Sequence, residues 1–197
     1  MFTESHVEVD GIRVRYAEAG QGTPLVHVRE ADGLAPTPAD DLLARQFRVI
    51  ALETSGRGPA LDRVIESLGL ADFNLMATAD ASAAAISLVL AEPGRVRALV
   101  LESPSAIGSE PRGDLEWRLP DVSMPTLVVF GTADRVAAQD SGRAYTGLIP
   151  NSHLVFVYDA AAAIGRDRPE AFAEVVADFL ERHEAFIISR TPTVIHP

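Results

Sequence analysis

Cysteine is absent from the 197 residues. That excludes disulfide staples, thiolate nucleophiles and cysteine-based metal sites. Histidine is sparse: His6, His27, His153, His183 and His196 include no pair at metal-ligand spacing. Neither a metal nor a cofactor is expected. No stretch approaches the roughly 20 apolar residues that span a bilayer. The opening MFTESHVEVD is polar, so no secretory leader is expected. Basic side chains are outnumbered, 17 Lys and Arg against 28 Asp and Glu, for a formal net charge of -11. Such a surface repels phosphate backbones and anionic lipid, which argues against nucleic-acid and membrane partners. A cytoplasmic address follows by default. With 47% hydrophobic and 23% charged residues, the chain has material for one domain with a sizeable core.

The pattern is alternating strand and helix. VEVDGIRVRY reads as a hairpin: Val7, Val9, Ile12, Val14 and Tyr16 alternate with polar residues around Asp10-Gly11. Short apolar strands follow at 23–28, 47–53, 73–77, 96–102, 125–131 and 153–159. Helices are expected at 37–47, capped by Thr37 and Pro38, and at 61–70, 80–93, 136–148 and 168–184. The stretch 103–123 has prolines and glycines and reads as an irregular connection. These are βαβ units, so the fold class is α/β: a mostly parallel eight-stranded sheet with helices on both faces and only the second strand antiparallel. Residues 1–184 make one domain and 185–197 a tail. Chemistry in such sheets belongs at the carboxyl ends of the strands.

One stretch, NLMATADASAAAISLVLAEPGRVRALVLESP (74–104), carries a more specific signal. It reads as strand, sharp turn, alanine-packed helix and second strand, with Pro93, Val96 and Leu99-Val100-Leu101 at set distances from the turn. Together with FGTADRV (130–136) and VYDAAAAIGRDRPEAFAEVVADFL (157–180), it resembles the α/β-hydrolase superfamily over essentially the whole chain to about residue 184. The resemblance implies a Ser-His-acid site. It maps the nucleophile onto Ala79, its flanking glycines onto Ala77 and Ala81, the acid onto Asp134 and the histidine onto Ala162. The loop that opens His-Gly in the superfamily reads Arg29-Glu30-Ala31-Asp32, and the usual lid is missing or nearly so.

Alanine neither attacks a carbonyl nor accepts a proton, so the triad is not intact. The small residues at the turn still permit the close strand-to-helix approach that such an elbow needs. Other groups read as structural: Ser82 as a packing residue, Thr78 and Ser55 as loop hydroxyls, His27 as a core histidine with a backbone partner. His153 starts a strand. Three functional readings stay open. The chain is a binding or interaction protein that uses the old pocket, for a small molecule, or the tail; or an active hydrolase with a nonstandard site around Asp80 and Asp134; or an inert scaffold. Two further expectations concern contacts. Arg29 is expected to fold over the vestigial site and pair with Asp80 or Asp134. The apolar tail from Phe186 to Ile195 is expected to leave the core and pair two chains in a homodimer.

Overall fold

Strand alternation sets the architecture. The structure, a computed structural model, describes residues 1–30, 34–54, 60–105, 115–134 and 139–186. Eight strands follow one another as β1 (Thr3–Val9), β2 (Ile12–Ala19), β3 (Pro24–Glu30), β4 (Arg48–Thr54), β5 (Phe73–Thr78), β6 (Val96–Glu102), β7 (Thr126–Gly131) and β8 (Ser152–Val157). They form one sheet in the order β1-β2-β4-β3-β5-β6-β7-β8. β2 runs antiparallel to both of its neighbours and every other pairing is parallel. The hairpin turn uses Asp10 and Gly11, both at positive φ (51° and 77°), the backbone that a tight two-residue turn requires.

The helices are α1 (Pro38–Leu43), α2 (Leu61–Ser67), α3 (Ala81–Ala91), α4 (Gln139–Leu148), α5 (Ile164–Asp167) and α6 (Pro169–Arg182). Successive strand residues face opposite sides of the sheet. Val26, Val28, Leu75, Ala77, Leu99 and Leu101 accordingly join one core cluster with residues of α2, α3 and α4. Leu25, Val49, Met76, Val100 and Leu127 join a second with residues of α1, α5 and α6. Helices cover both faces, as the alternating pattern predicts.

Most helices are shorter than their periodicity suggests. The expected 37–47 ends at Leu43, because a turn intervenes before β4; the expected 61–70 ends at Ser67, before Gly69 at φ 68°. Two elements escaped the sequence reading: α5, and a 3-10 segment over Glu116–Asp121 inside the connection 103–123. Residues 106–114 of that connection lie outside the described residues. Phe186, the first residue of the tail expected to leave the core, stays in it. Phe186 is buried and packs edge-on against Phe179, with ring centroids 5.5 Å apart. Residues 187–197, the rest of the expected tail, lie outside the described residues.

Candidate functional site

The elbow is present in the backbone. β5 ends at Thr78, α3 begins at Ala81, and Ala79 between them holds φ at 50°. A residue with a Cβ at such an angle is strained by roughly 1 kcal/mol or more. The turn is held by Ala79 N–H donating to the Glu102 carbonyl (3.0 Å) and Ser82 N–H donating to the Ala79 carbonyl (3.1 Å). Ala77, Ala81 and Ala85 are buried where β5 and α3 meet, so their small size permits the approach. The side chain at the apex is a methyl group. Asp80, next along, is exposed, and its carboxylate accepts a hydrogen bond from Ser105 Oγ. The Ser105 carbonyl in turn accepts from Tyr145 Oη at 2.9 Å. Burial pushes the Tyr145 phenol up to about 12, so it stays a donor. Ser82 Oγ is buried and has no hydrogen-bond partner among the described residues.

Asp134 follows β7, half-buried, and its N–H donates to the Gly131 carbonyl at 3.2 Å. Ala162 follows β8 and is exposed. The loops carrying them are stitched together: Ala133 N–H donates to the Ala160 carbonyl (2.9 Å), and Asp159 N–H to Thr132 Oγ1 (3.0 Å). Because β5, β7 and β8 are parallel, Ala79, Asp134 and Ala162 occupy one end of the sheet. Glu30 is the last residue of β3, opposite Thr54 in register. Ala31, Asp32 and Ser55 lie outside the described residues. Among the described residues, no group of three or more His, Asp or Glu side chains stands ready to hold a metal ion. No described helix is long and apolar enough to cross a membrane.

Under the elbow, on the face covered by α1 and α5, lies a polar chain that the sequence did not reveal. His27 Nδ1 is 2.7 Å from Asp40 Oδ1. His27 Nε2 is 2.9 Å from Thr78 Oγ1. Thr78 Oγ1 is 2.9 Å from Glu102 Oε2, and Glu102 Oε1 accepts the Gly165 N–H at 2.8 Å. His27 is 1% exposed, Asp40 0% and Glu102 3%, so all three are ionisable groups removed from water. Burial pushes the Asp40 carboxyl up, but the charge and hydrogen bond of His27, the Thr37 N–H and the charge of Arg29 outweigh it and hold Asp40 at about 2. Glu102 has weaker compensation, and burial raises it above the ordinary glutamate value.

Three expectations are corrected here. His27 bonds side chains, not backbone. Thr78 is the last residue of β5 rather than a loop hydroxyl, and its Oγ1 lies 2.9 Å from His27 Nε2. Arg29 does not reach Asp80: its Nη1 donates to the Ala35 carbonyl at 2.9 Å and lies 4.0 Å from Asp40 Oδ2. The reason is strand alternation. Arg29 is two residues beyond His27, so it shares the α1 face, whereas α3 and the turn leading into it pack on the other. His153, at the amino end of β8, sits away from the site; its ring lies 5.2 Å from that of Phe186, and burial lowers its pKa.

No protein-family model matches the chain. It is 31% identical over 143 residues to the polyketide synthase ThaQ of Burkholderia thailandensis, a stretch that is 71% of this chain and 7% of that protein. It is 31% identical over 70 residues to the uncharacterized hydrolase YugF of Bacillus subtilis, covering 35% of this chain and 26% of that one. The chain thus spans a small part of the length of these curated relatives. Among solved structures, a carboxylesterase from Bacillus subtilis superposes with a TM-score of 0.76 at 16% identity, covering 91% of this chain and 92% of the other. An enol-lactonase from Burkholderia xenovorans superposes at 0.75 and 18% identity, covering 90% of this chain and 100% of the other. The chain has the α/β-hydrolase fold.

Proposed function

We propose that this α/β-hydrolase-fold chain is a binding or interaction protein without turnover at the site where the fold usually places its triad. One observation carries the reading: Ala79 keeps the strained elbow, at φ 50°, with no reactive atom on it. Acyl transfer through a triad needs an oxygen to attack and an imidazole to take its proton. Ala79 has no oxygen and Ala162 no imidazole. Asp134 therefore has no histidine at 162 to orient. Asp80 adds a carboxylate beside the place where negative charge would develop, which opposes an oxyanion. The carboxylates of Asp80 and Asp134 at that end of the sheet favour a small uncharged or cationic ligand over an anionic one.

A hydrolytic reading has one observation in its favour. Asp40, His27 and Thr78 form an acid–imidazole–hydroxyl row at 2.7 and 2.9 Å. Against it, the imidazole is 1% exposed and Thr78 Oγ1 donates its hydrogen to Glu102 rather than to the imidazole, so His27 is not placed to take that proton. The two readings separate in one experiment. The full chain is incubated with a fluorophosphonate and weighed intact, then assayed on short esters, lactones and epoxides beside a small-molecule thermal-shift screen. The expected result is no mass increase and no turnover, with stabilisation by at least one compound. Stoichiometric labelling at Thr78, Ser82 or Ser55, or turnover lost on Asp80→Asn, overturns it.

The tail is proposed as a contact between two copies. Phe186 is anchored beside the first residues of β8, an edge strand of the sheet, and the apolar Ile187, Ile188, Val194 and Ile195 follow. An unpaired edge accepts such a segment. Sedimentation is expected to show a dimer for the full chain and a monomer for a chain ending at Phe186. A monomeric full chain removes the idea.

A further inference from the structure

Beyond the proposed function stands the buried chain under the elbow, because nothing in a vestigial triad requires it. It joins four elements at points far apart in sequence: Asp40 on α1, His27 on β3, Thr78 on β5 and Glu102 on β6. Its far end holds the Gly165 amide, in the short helix after the loop that carries Ala162. Its middle is the residue directly before the elbow. Hydrogen-bond bookkeeping restricts where its protons sit. Asp40 accepts from Thr37 N–H (2.7 Å) and Thr37 Oγ1 (3.0 Å), so it is an acceptor throughout, and His27 Nδ1 must carry a proton to donate to it. Gly165 N–H donates to Glu102 Oε1 whatever the charge on the carboxyl. That leaves the two links through Thr78, whose hydroxyl has one hydrogen for two neighbours.

With one proton shared between imidazole and carboxyl, both links close in either of two ways. In the first, His27 Nε2–H donates to Thr78 Oγ1 and the Thr78 hydroxyl donates to an ionised Glu102. In the second, the Glu102 carboxyl donates to Thr78 Oγ1 and the Thr78 hydroxyl donates to a neutral His27 Nε2. The two differ by moving one proton from Nε2 to Oγ1 as another moves from Oγ1 to Oε2, and no charge enters or leaves. If the shared proton is removed, Nε2 and Glu102 are both acceptors and Thr78 can satisfy only one. Two buried carboxylates then remain, with Arg29, 4.0 Å from Asp40, as the cation beside them. Arg29 faces Asp40 from β3, and Asp40 and Glu102 face His27 from α1 and β6; these are the charged groups around it among the described residues.

We propose that His27, Thr78 and Glu102 form a proton-sharing latch, anchored by Asp40, that fastens the elbow to the α5 loop and releases it when the shared proton is lost. The sign follows from geometry and from the raised Glu102 carboxyl together. In an unfolded chain, an imidazole and a carboxyl keep no proton above about pH 6.5. The latch closes only while the folded pair holds one proton, so its contribution is present as long as that proton is held and is lost as rising pH removes it.

The test is urea unfolding of the full chain from pH 5 to 9, for wild type, Glu102→Gln and Thr78→Val. In Glu102→Gln the amide donates to Thr78 and accepts from Gly165, so every link closes with no proton to lose. The wild-type unfolding constant is expected to grow above about pH 6.5 by up to tenfold per pH unit, the slope for one proton. Glu102→Gln is expected to remove that dependence, and Thr78→Val to remove it while unfolding at lower urea. Should either variant fail to fold, amide exchange in wild type reads the same event: Gly165 is expected to lose protection at alkaline pH while β7 amides keep theirs. Parallel pH profiles for wild type and Glu102→Gln, or Gly165 protection that follows β7 at every pH, overturn the proposal.

Discussion

Truncating Asp40 to alanine is expected to cost the fold about 3–5 kcal/mol, the range for breaking a buried ionic contact from one side. Three donors converge on this carboxylate: Thr37 N–H at 2.7 Å, Thr37 Oγ1 at 3.0 Å and His27 Nδ1 at 2.7 Å. Its own N–H donates back to Thr37 Oγ1 at 3.1 Å, which completes a capping box at the start of α1. Alanine leaves the Thr37 N–H and the imidazole N–H unsatisfied in a site closed to water, and it removes the counter-charge of Arg29. Asparagine keeps an oxygen for Thr37 but turns an amide donor toward His27 or loses the cap, so a smaller loss, about 1–3 kcal/mol, is expected. The loss has a pH signature. Asp40 is held at about 2, below its ordinary 3.8. A carboxyl lowered on folding stabilises the fold above its unfolded pKa, and that stabilisation disappears as pH falls through the folded value. The part of the wild-type advantage that depends on charge is about 2 kcal/mol. Urea unfolding of wild type and Asp40→Ala at pH 7, 4, 3 and 2 should show the difference shrink below pH 4. A difference under about 1 kcal/mol at pH 7 would show that the carboxylate is not the hub its contacts imply.

Thr37 and Asp40 mark the limit of what the sequence discloses. Thr37 is legible as a cap, since a threonine before a proline and a run of apolar spacing has few other uses. The role of Asp40 is half legible, because its bond to Thr37 is three residues away while its bond to His27 is made through the tertiary fold. Local signals are strong where residues interact with near neighbours on one element. The apolar runs of β3, β5, β6 and β7 between helical stretches therefore disclosed the sheet, and the alanines around residue 79 disclosed the elbow. The His27 chain spans separations of 13, 51, 24 and 63 residues, and each link depends on strand order. A weaker signal was available. His27, Thr78 and Glu102 are polar residues near the carboxyl ends of three apolar strands, and β3, β5 and β6 are neighbours in the order β4-β3-β5-β6. Placing them on one face needs the register, which pairs Thr78 with Glu102. The same alternation would have kept Arg29 from Asp80, because residues 27 and 29 of one strand share a face.

The second large effect is expected at Gly131, where an alanine should cost about 3 kcal/mol or more, or prevent folding. Gly131 closes β7 just before the loop that holds Asp134. A Cβ built there would lie 2.1 Å from the Ala160 carbonyl oxygen and 2.4 Å from that of Ala161. Both are backbone atoms, so no rotamer change relieves the clash. Either β7 or the loop after β8 must move. That movement pulls on the bonds by which the two loops are joined, Thr132 N–H to the Val157 carbonyl (3.0 Å) and Ala133 N–H to the Ala160 carbonyl (2.9 Å), each worth about 1 kcal/mol net. The absent side chain thus sets how closely the Ala162 loop approaches the Asp134 loop. Gly94 is the control. A Cβ there meets nothing within 4 Å, and Gly94→Ala should change stability by no more than about 0.5 kcal/mol. Equilibrium urea unfolding of the two variants beside wild type decides the matter. If Gly131→Ala unfolds within about 1 kcal/mol of wild type, the two loops are not held against each other as described.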